Sequence, residues 1–179
     1  MNVQMGTKKG LDLAQLGQLL HYPRQRYQAA VTLACIAVSR EYPGAAKALA
    51  QFDKQCQSKT LQELEEIYTS TFDLAAICSP YITGYIYGDE SYDRGTLMAQ
   101  FSAQYSAIGF DTAGELPDHL ALVLCYSSWL DDEALDELIT FCLIEPVRAM
   151  TEKLKSTANP YLQLLSAILV LLQAKEGGK

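Results

Sequence analysis

The chain has 179 residues, enough for one domain with a sizeable core, and its 49% hydrophobic content excludes a disordered chain or a coiled-coil rod. The net charge of −7, with no basic stripe evident along the sequence, argues against a nucleic-acid binder, which needs cations to meet phosphates. An acidic balance permits a cationic partner but does not require one.

The five cysteines, Cys35, Cys56, Cys78, Cys125 and Cys142, are far apart and odd in number. None of them forms the two-residue spacing of a zinc or redox motif, and most lie in apolar patterns where cysteine acts as a small hydrophobe. A reduced, cytoplasmic compartment fits this usage. Residues 1–10 carry two lysines with no apolar stretch behind them, unlike a signal peptide. The longest apolar run, 162–172, is interrupted by Gln163 and Ser166 and falls short of the ~20 residues that cross a bilayer, so stable membrane insertion is not expected.

Leu13, Leu16, Leu19 and Leu20 keep helical spacing and stop at Tyr22-Pro23, because proline disfavours helix in the residue before it. Residues 27–40 form an alanine-rich apolar helix punctuated by Tyr42-Pro43-Gly44, and 45–54 suggests a short third helix. Thr60 with Glu63 reads as a capping box, opening a helix with Leu61, Leu64, Ile67, Tyr68 and Phe72 on one face. The period fails over 75–93, where Pro80, Gly84 and Gly88 interrupt an aromatic stretch. An ordered loop with one helical turn is expected there, with a short, partnerless strand at 81–87 as the alternative. Leu97, Met98, Phe101, Tyr105 and Ile108 restore the helix, which ends at Gly109.

Pro117 suits the first turn of the next helix, which is apolar almost all round over 119–130 and is therefore expected to be buried. Asp131, Asp132 and Glu133 favour a following helix start, and Pro146 is expected to break or kink that helix. Asn159-Pro160 caps the last helix, which runs through Leu162, Leu165, Leu169 and Leu172. The whole reads as one all-α globular domain over 1–179, with 1–10 and 175–179 frayed.

Catalytic equipment is sparse. Two histidines, His21 and His119, lie far apart, and no P-loop, dinucleotide fingerprint, His-Glu-x-x-His or nucleophile elbow is present. No metal set and no cofactor are expected. Glu115-Leu116-Pro117-Asp118-His119 falls at a helix start, where a carboxylate can serve simply as an acceptor for free amides. Tyr68 and Phe72, four residues apart and followed by Asp73, have the spacing of a core pair. Arg94 has the wrong sign for a helix start, so it should pair with an acid such as Asp73, Asp89 or Glu90. Gly88 and Gly95 beside it read as structural.

Taken in order, Tyr68-x-x-x-Phe72-Asp73, Cys78-Ser79-Pro80-Tyr81, Tyr87-Gly88-Asp89, Arg94-Gly95 and Glu115-x-Pro117-Asp118-His119 resemble the redox-enzyme maturation chaperones. These are the nitrate reductase assembly chaperones and the twin-arginine leader chaperones. Leu19-Leu20-His21-Tyr22-Pro23 and Asn159-Pro160-Tyr161 extend the likeness over most of the chain. The resemblance implies an all-α, non-enzymatic, cytoplasmic chaperone without a resident cofactor. Its partner would be the N-terminal or leader peptide of an apo molybdoenzyme catalytic subunit, held during molybdenum cofactor insertion and before export. It also implies a peptide site at Glu115, Pro117, Asp118, His119, Tyr68, Phe72 and Asp73, in a protein that is a monomer or dimer. Two other readings stand beside it: a helical adaptor holding a folded partner, and a small hydrolase using Asp118 and His119 with Glu115. The hydrolase ranks last for want of an activated nucleophile.

Overall fold

The computed structural model describes residues 6–88 and 90–174, and every regular element among them is helical. They divide into two compact units, each assembled from two stretches of chain. The first joins the chain up to His21 with Ser79–Pro146, and the second joins Tyr22–Cys78 with the chain from Val147 onward.

In the first unit, α1 (Lys8–Gln18) is capped by the Thr7 hydroxyl, which accepts from the Gly10 amide at 3.0 Å, and carries a Lys8–Asp12 ion pair at 2.6 Å. Lys8–Gly10 therefore belongs to a helix rather than to a frayed end, while 1–5 and 175–179 lie outside the described residues. Packing decides this. A Cβ added at Gly10 would lie 2.3 Å from the Ser127 carbonyl oxygen, and one at Gly17 would lie 2.7 Å from Leu124 Cβ. Glycine thus lets α1 press directly against α7 (Leu120–Tyr126) and the 3-10 turn after it, Ser127–Trp129. All seven residues of α7 are buried, as its all-round apolar sequence requires.

The stretch where periodicity fails is irregular apart from one short helix, α5 (Ile82–Tyr87), as expected of a loop with a helical turn, and the alternative strand at 81–87 does not form. Gly88 ends it at φ 78°, in the region that favours glycine. α6 (Tyr92–Ile108) follows, capped by Ser91 and closed by Gly109 at φ 69°. α8 (Asp132–Leu138) starts on the Asp131 side chain, which accepts from the Ala134 amide at 3.0 Å. Pro146 does not break the rod. A π turn at Ile139–Leu143 leads straight into α9 (Ile144–Leu154), and this widened turn just upstream accommodates the missing proline amide.

The second unit contains α2 (Tyr27–Glu41), α3 (Pro43–Gln57), α4 (Leu61–Phe72) and α10 (Tyr161–Gln173). Pro43 opens α3 at its first turn, so the helix is longer than its apolar spacing suggests. The capping box forms as read: the Thr60 hydroxyl accepts from the Glu63 amide, and the Glu63 carboxylate accepts from the Thr60 amide at 2.7 Å. Tyr161 anchors the core, with Phe72 at 4.9 Å and Phe52 at 6.0 Å between ring centroids. Asn159 accepts from the Tyr161 amide and donates to Thr71 Oγ1, tying the start of α10 to α4.

Alanine at Gly10 would gain about 1 kcal/mol of helix propensity, yet it should destabilise the protein by about 1–3 kcal/mol through overpacking. Urea unfolding of Gly10→Ala measures the balance, and a stabilised variant would show that this close approach is relaxed.

Candidate functional site

Residues 110–119 form a tight loop between α6 and α7. Asp111 Oδ1 accepts from the Ala113 amide at 2.8 Å, and Ala113 and Gly114 take positive φ angles of 53° and 83°. That sharp turn presents Glu115 to solvent, where Oε1 accepts from its neighbour's amide, Leu116 N, at 2.9 Å and from the Tyr81 hydroxyl at 3.0 Å. The Pro117 carbonyl accepts from the Tyr105 hydroxyl at 2.9 Å. Pro117 does not open the helix: His119 is the N-cap, its Nδ1 accepting from the Ala121 amide at 3.2 Å.

Asp118 and His119 point inward, with exposures of 0% and 4%. A position one or two residues before a helix would allow either orientation, and pairing with the 80–82 segment selects the buried one. Ile82 N donates to Asp118 O at 3.0 Å and Leu120 N donates to Pro80 O at 2.8 Å, so Tyr81 and His119 form one antiparallel rung. Within it, Asp118 Oδ2 accepts from the Thr83 hydroxyl, and the same hydroxyl accepts from Arg94 Nε at 3.0 Å. Arg94 is therefore linked to a carboxylate through Thr83, a route not visible in the sequence. Of its expected partners, Asp89 lies outside the described residues. Asp118 Oδ1 is buried with no hydrogen-bond partner among the described residues. Gly95 has open space where a side chain would project, so nothing there requires glycine.

His119 sits beside the Tyr81 ring at 5.6 Å and parallel to His21 at 6.4 Å. Burial lowers its pKa from 6.5 to about 4, with Glu115 pulling the other way and His21 adding to the fall. His21 Nε2 also lies 3.9 Å from Cys125 Sγ, a pairing that could suggest a thiol nucleophile and its base. Burial raises the Cys125 pKa to about 12, against a hydrogen bond from Gln18, so this thiol is not an activated nucleophile.

The other predicted site residues lie in the second unit. Tyr68 and Phe72 are buried, with ring centroids 5.3 Å apart, and both pack on Tyr161. They are core residues rather than groove-lining ones. Asp73, the C-cap of α4, is exposed. The surface feature of this helix is a cleft of about 420 Å³ lined by Tyr22, Glu65, Glu66, Thr69 and Leu74, with the Tyr22 ring 5.4 Å from Tyr68. Sequence reading missed it, since Tyr22 reads there as the stop of the first helix and the two glutamates carry no motif. The seven predicted residues thus separate, with Glu115, Pro117, Asp118 and His119 in one unit and Tyr68, Phe72 and Asp73 in the other.

Two measurements probe this arrangement. Thr83→Val and Arg94→Ala should each cost about 1–3 kcal/mol, and the double variant should cost at least about 0.5 kcal/mol less than their sum, because both act on the Asp118 carboxylate. Additive losses by chemical denaturation would deny the linkage. The second measurement uses pH. A histidine whose folded pKa lies below its unfolded value favours folding above pH 6.5 and opposes it increasingly as pH falls toward 4. Between pH 7 and 5 the wild type should lose about 2 kcal/mol more than His119→Asn, which keeps an N-cap acceptor but does not titrate. Parallel stability curves would contradict the neutral buried imidazole.

Comparison with known proteins places this arrangement. The family model described as nitrate reductase delta subunit matches residues 37–167. A relative from Escherichia coli (strain K12), named probable nitrate reductase molybdenum cofactor assembly chaperone NarW, is 28% identical over 162 residues, covering 89% of this chain and 67% of that protein. The matched region contains α3 to α9 whole, including the aromatic–acid motif of α4 and the Glu-x-Pro-Asp-His loop. The chain belongs to the nitrate reductase delta subunit family, the redox-enzyme maturation chaperones that its motif order resembles.

Proposed function

We propose that this protein is an assembly chaperone for a molybdoenzyme of the nitrate or dimethyl sulfoxide reductase type, acting by binding and not by catalysis. It holds the N-terminal or leader peptide of the apo catalytic subunit while molybdenum cofactor is inserted, and delays export where a leader is present. Family membership is the observation that carries this reading. The compartment is the cytoplasm, where apo subunits are made; among the described residues no helix is long and apolar enough to cross a membrane.

The loop geometry supports the following roles within the proposed site. Glu115 is the contact carboxylate, since it is exposed and its present partners are a tyrosine hydroxyl and a neighbouring amide. An arginine or lysine of the client peptide would offer it a charge-assisted bond in their place. Leu116, at 44% exposure, supplies apolar surface beside it. Asp118 and His119 hold this loop from below. Tyr68 and Phe72 support Tyr22 in the same way, leaving Tyr22, Leu74 and Asp73 to meet a partner.

Titration of the N-terminal peptide of a molybdoenzyme subunit encoded beside this protein tests the assignment. Glu115→Gln should weaken binding about tenfold at unchanged melting temperature, and wild-type affinity should fall as salt rises. Asp118→Asn should lower stability along with affinity. Equal affinity for wild type and Glu115→Gln would remove this loop from the site, and binding of the folded subunit without its isolated peptide would favour the adaptor reading.

A further inference from the structure

Glu115 is held by one oxygen of its carboxylate. Oε1 accepts from the Leu116 amide at 2.9 Å and from the Tyr81 hydroxyl at 3.0 Å, whereas Oε2 accepts no hydrogen bond among the described residues. A carboxylate oxygen offers about two lone-pair sites, so Oε1 is filled and Oε2 is open. Both donors are placed by other parts of the structure. The Leu116 amide belongs to the main chain of the loop that begins with the Asp111–Gly114 turn. Tyr81 comes from a segment 34 positions away. Its amide donates to Ser79 Oγ at 3.3 Å, its backbone forms the rung with His119, and its ring stands edge-on to the His119 ring at 84°. The hydroxyl is therefore fixed where it meets Glu115, leaving Oε2 as the available acceptor of an exposed side chain.

The donor pattern of an incoming cation then matters. A guanidinium binds a carboxylate best as a planar fork, with parallel N–H bonds to both oxygens. At Glu115 such a fork needs room on Oε1, so it would have to displace the Tyr81 hydroxyl or the Leu116 amide. A primary ammonium is a compact charge that bonds a single oxygen well. It can occupy Oε2 with both existing donors in place, so its charge-assisted bond is gained with no other bond lost. A lysine side chain and the α-amino group of a peptide share this chemistry.

We infer that Tyr81 is a specificity-determining positioning residue. By filling Oε1 together with the Leu116 amide, it makes Glu115 a one-oxygen acceptor that selects a primary ammonium of the client over a guanidinium. This inference rests on the reading of Glu115 as the contact carboxylate, and it narrows the cation that the contact takes.

The test titrates the N-terminal peptide of a molybdoenzyme subunit encoded beside this protein, made in two Nα-acetylated versions. One has every arginine replaced by lysine, and the other has every lysine replaced by arginine. Wild type should bind the lysine version at least about fivefold more tightly. Tyr81→Phe keeps the ring and its contact with His119 but frees a site on Oε1. The gap should then narrow to within about twofold, chiefly through tighter binding of the arginine version. Glu115→Gln should abolish the gap. A purely structural tyrosine would shift both affinities together and leave their ratio alone. Removing the acetyl group separates the two sources of ammonium: a gain of about fivefold for the arginine version, absent in Glu115→Gln, identifies the α-amino group. Binding that depends on Glu115 but favours neither ammonium, or a lysine preference that Tyr81→Phe leaves unchanged, would overturn this inference and spare the peptide site. Equal binding of both versions by wild type and Glu115→Gln would remove the site and the inference together.

Discussion

The constraint on which the first unit turns is the burial of one carboxylate. Asp118 is fully enclosed, and a buried acid is costly unless its oxygens find donors; Oδ2 finds them, while Oδ1 has none among the described residues. Thr83 supplies its hydroxyl to Oδ2, and Arg94 brings a cation to the far side of that hydroxyl. To do so, α5 must lie against the start of α7, and the Tyr81–His119 rung sets that register through backbone bonds. The loop carrying Glu115 is thereby fixed at its far end, and its near end is fixed by the turn at Asp111–Gly114. An exposed side chain on a doubly anchored loop has little conformational freedom left to lose, which is what makes the proposed contact at Glu115 favourable.

His119 illustrates how one residue meets several demands. It caps α7 through Nδ1, stacks on His21 from the end of the α1 segment, and lies edge-on to Tyr81. The cap bond needs an unprotonated Nδ1, and burial together with His21 favours the neutral ring. A histidine in this position works as a shaped, polar packing element. The second unit obtains comparable order from an apolar device, the cluster of Tyr68, Phe72 and Phe52 around Tyr161. Its polar edge, Asn159 to Thr71, plays the part that Thr83 plays in the first.

Helix content, most helix starts and the burial of α7 follow from local rules, so they are legible residue by residue. Thr60 with Glu63 caps α4 as expected, α8 starts at its acidic run, and the all-round apolar α7 is enclosed. At the start of α10 the N-cap position falls instead to Pro160, and Asn159, one residue earlier, accepts from the Tyr161 amide. The family likeness is legible too, because it lies in residue order. What the sequence could not decide is which way a side chain faces when its position allows two answers. Asp118 and His119 could have faced solvent from a helix start; pairing with residues 80–82, more than thirty positions away, turned them inward. α5 forms within a stretch lacking helical period because its ends are held, by the rung at Tyr81 and by Gly88. The continuity of the helix through Pro146 and the split of the predicted site between two units are likewise tertiary. Each depends on contacts between distant parts of the chain, which capping and periodicity do not encode.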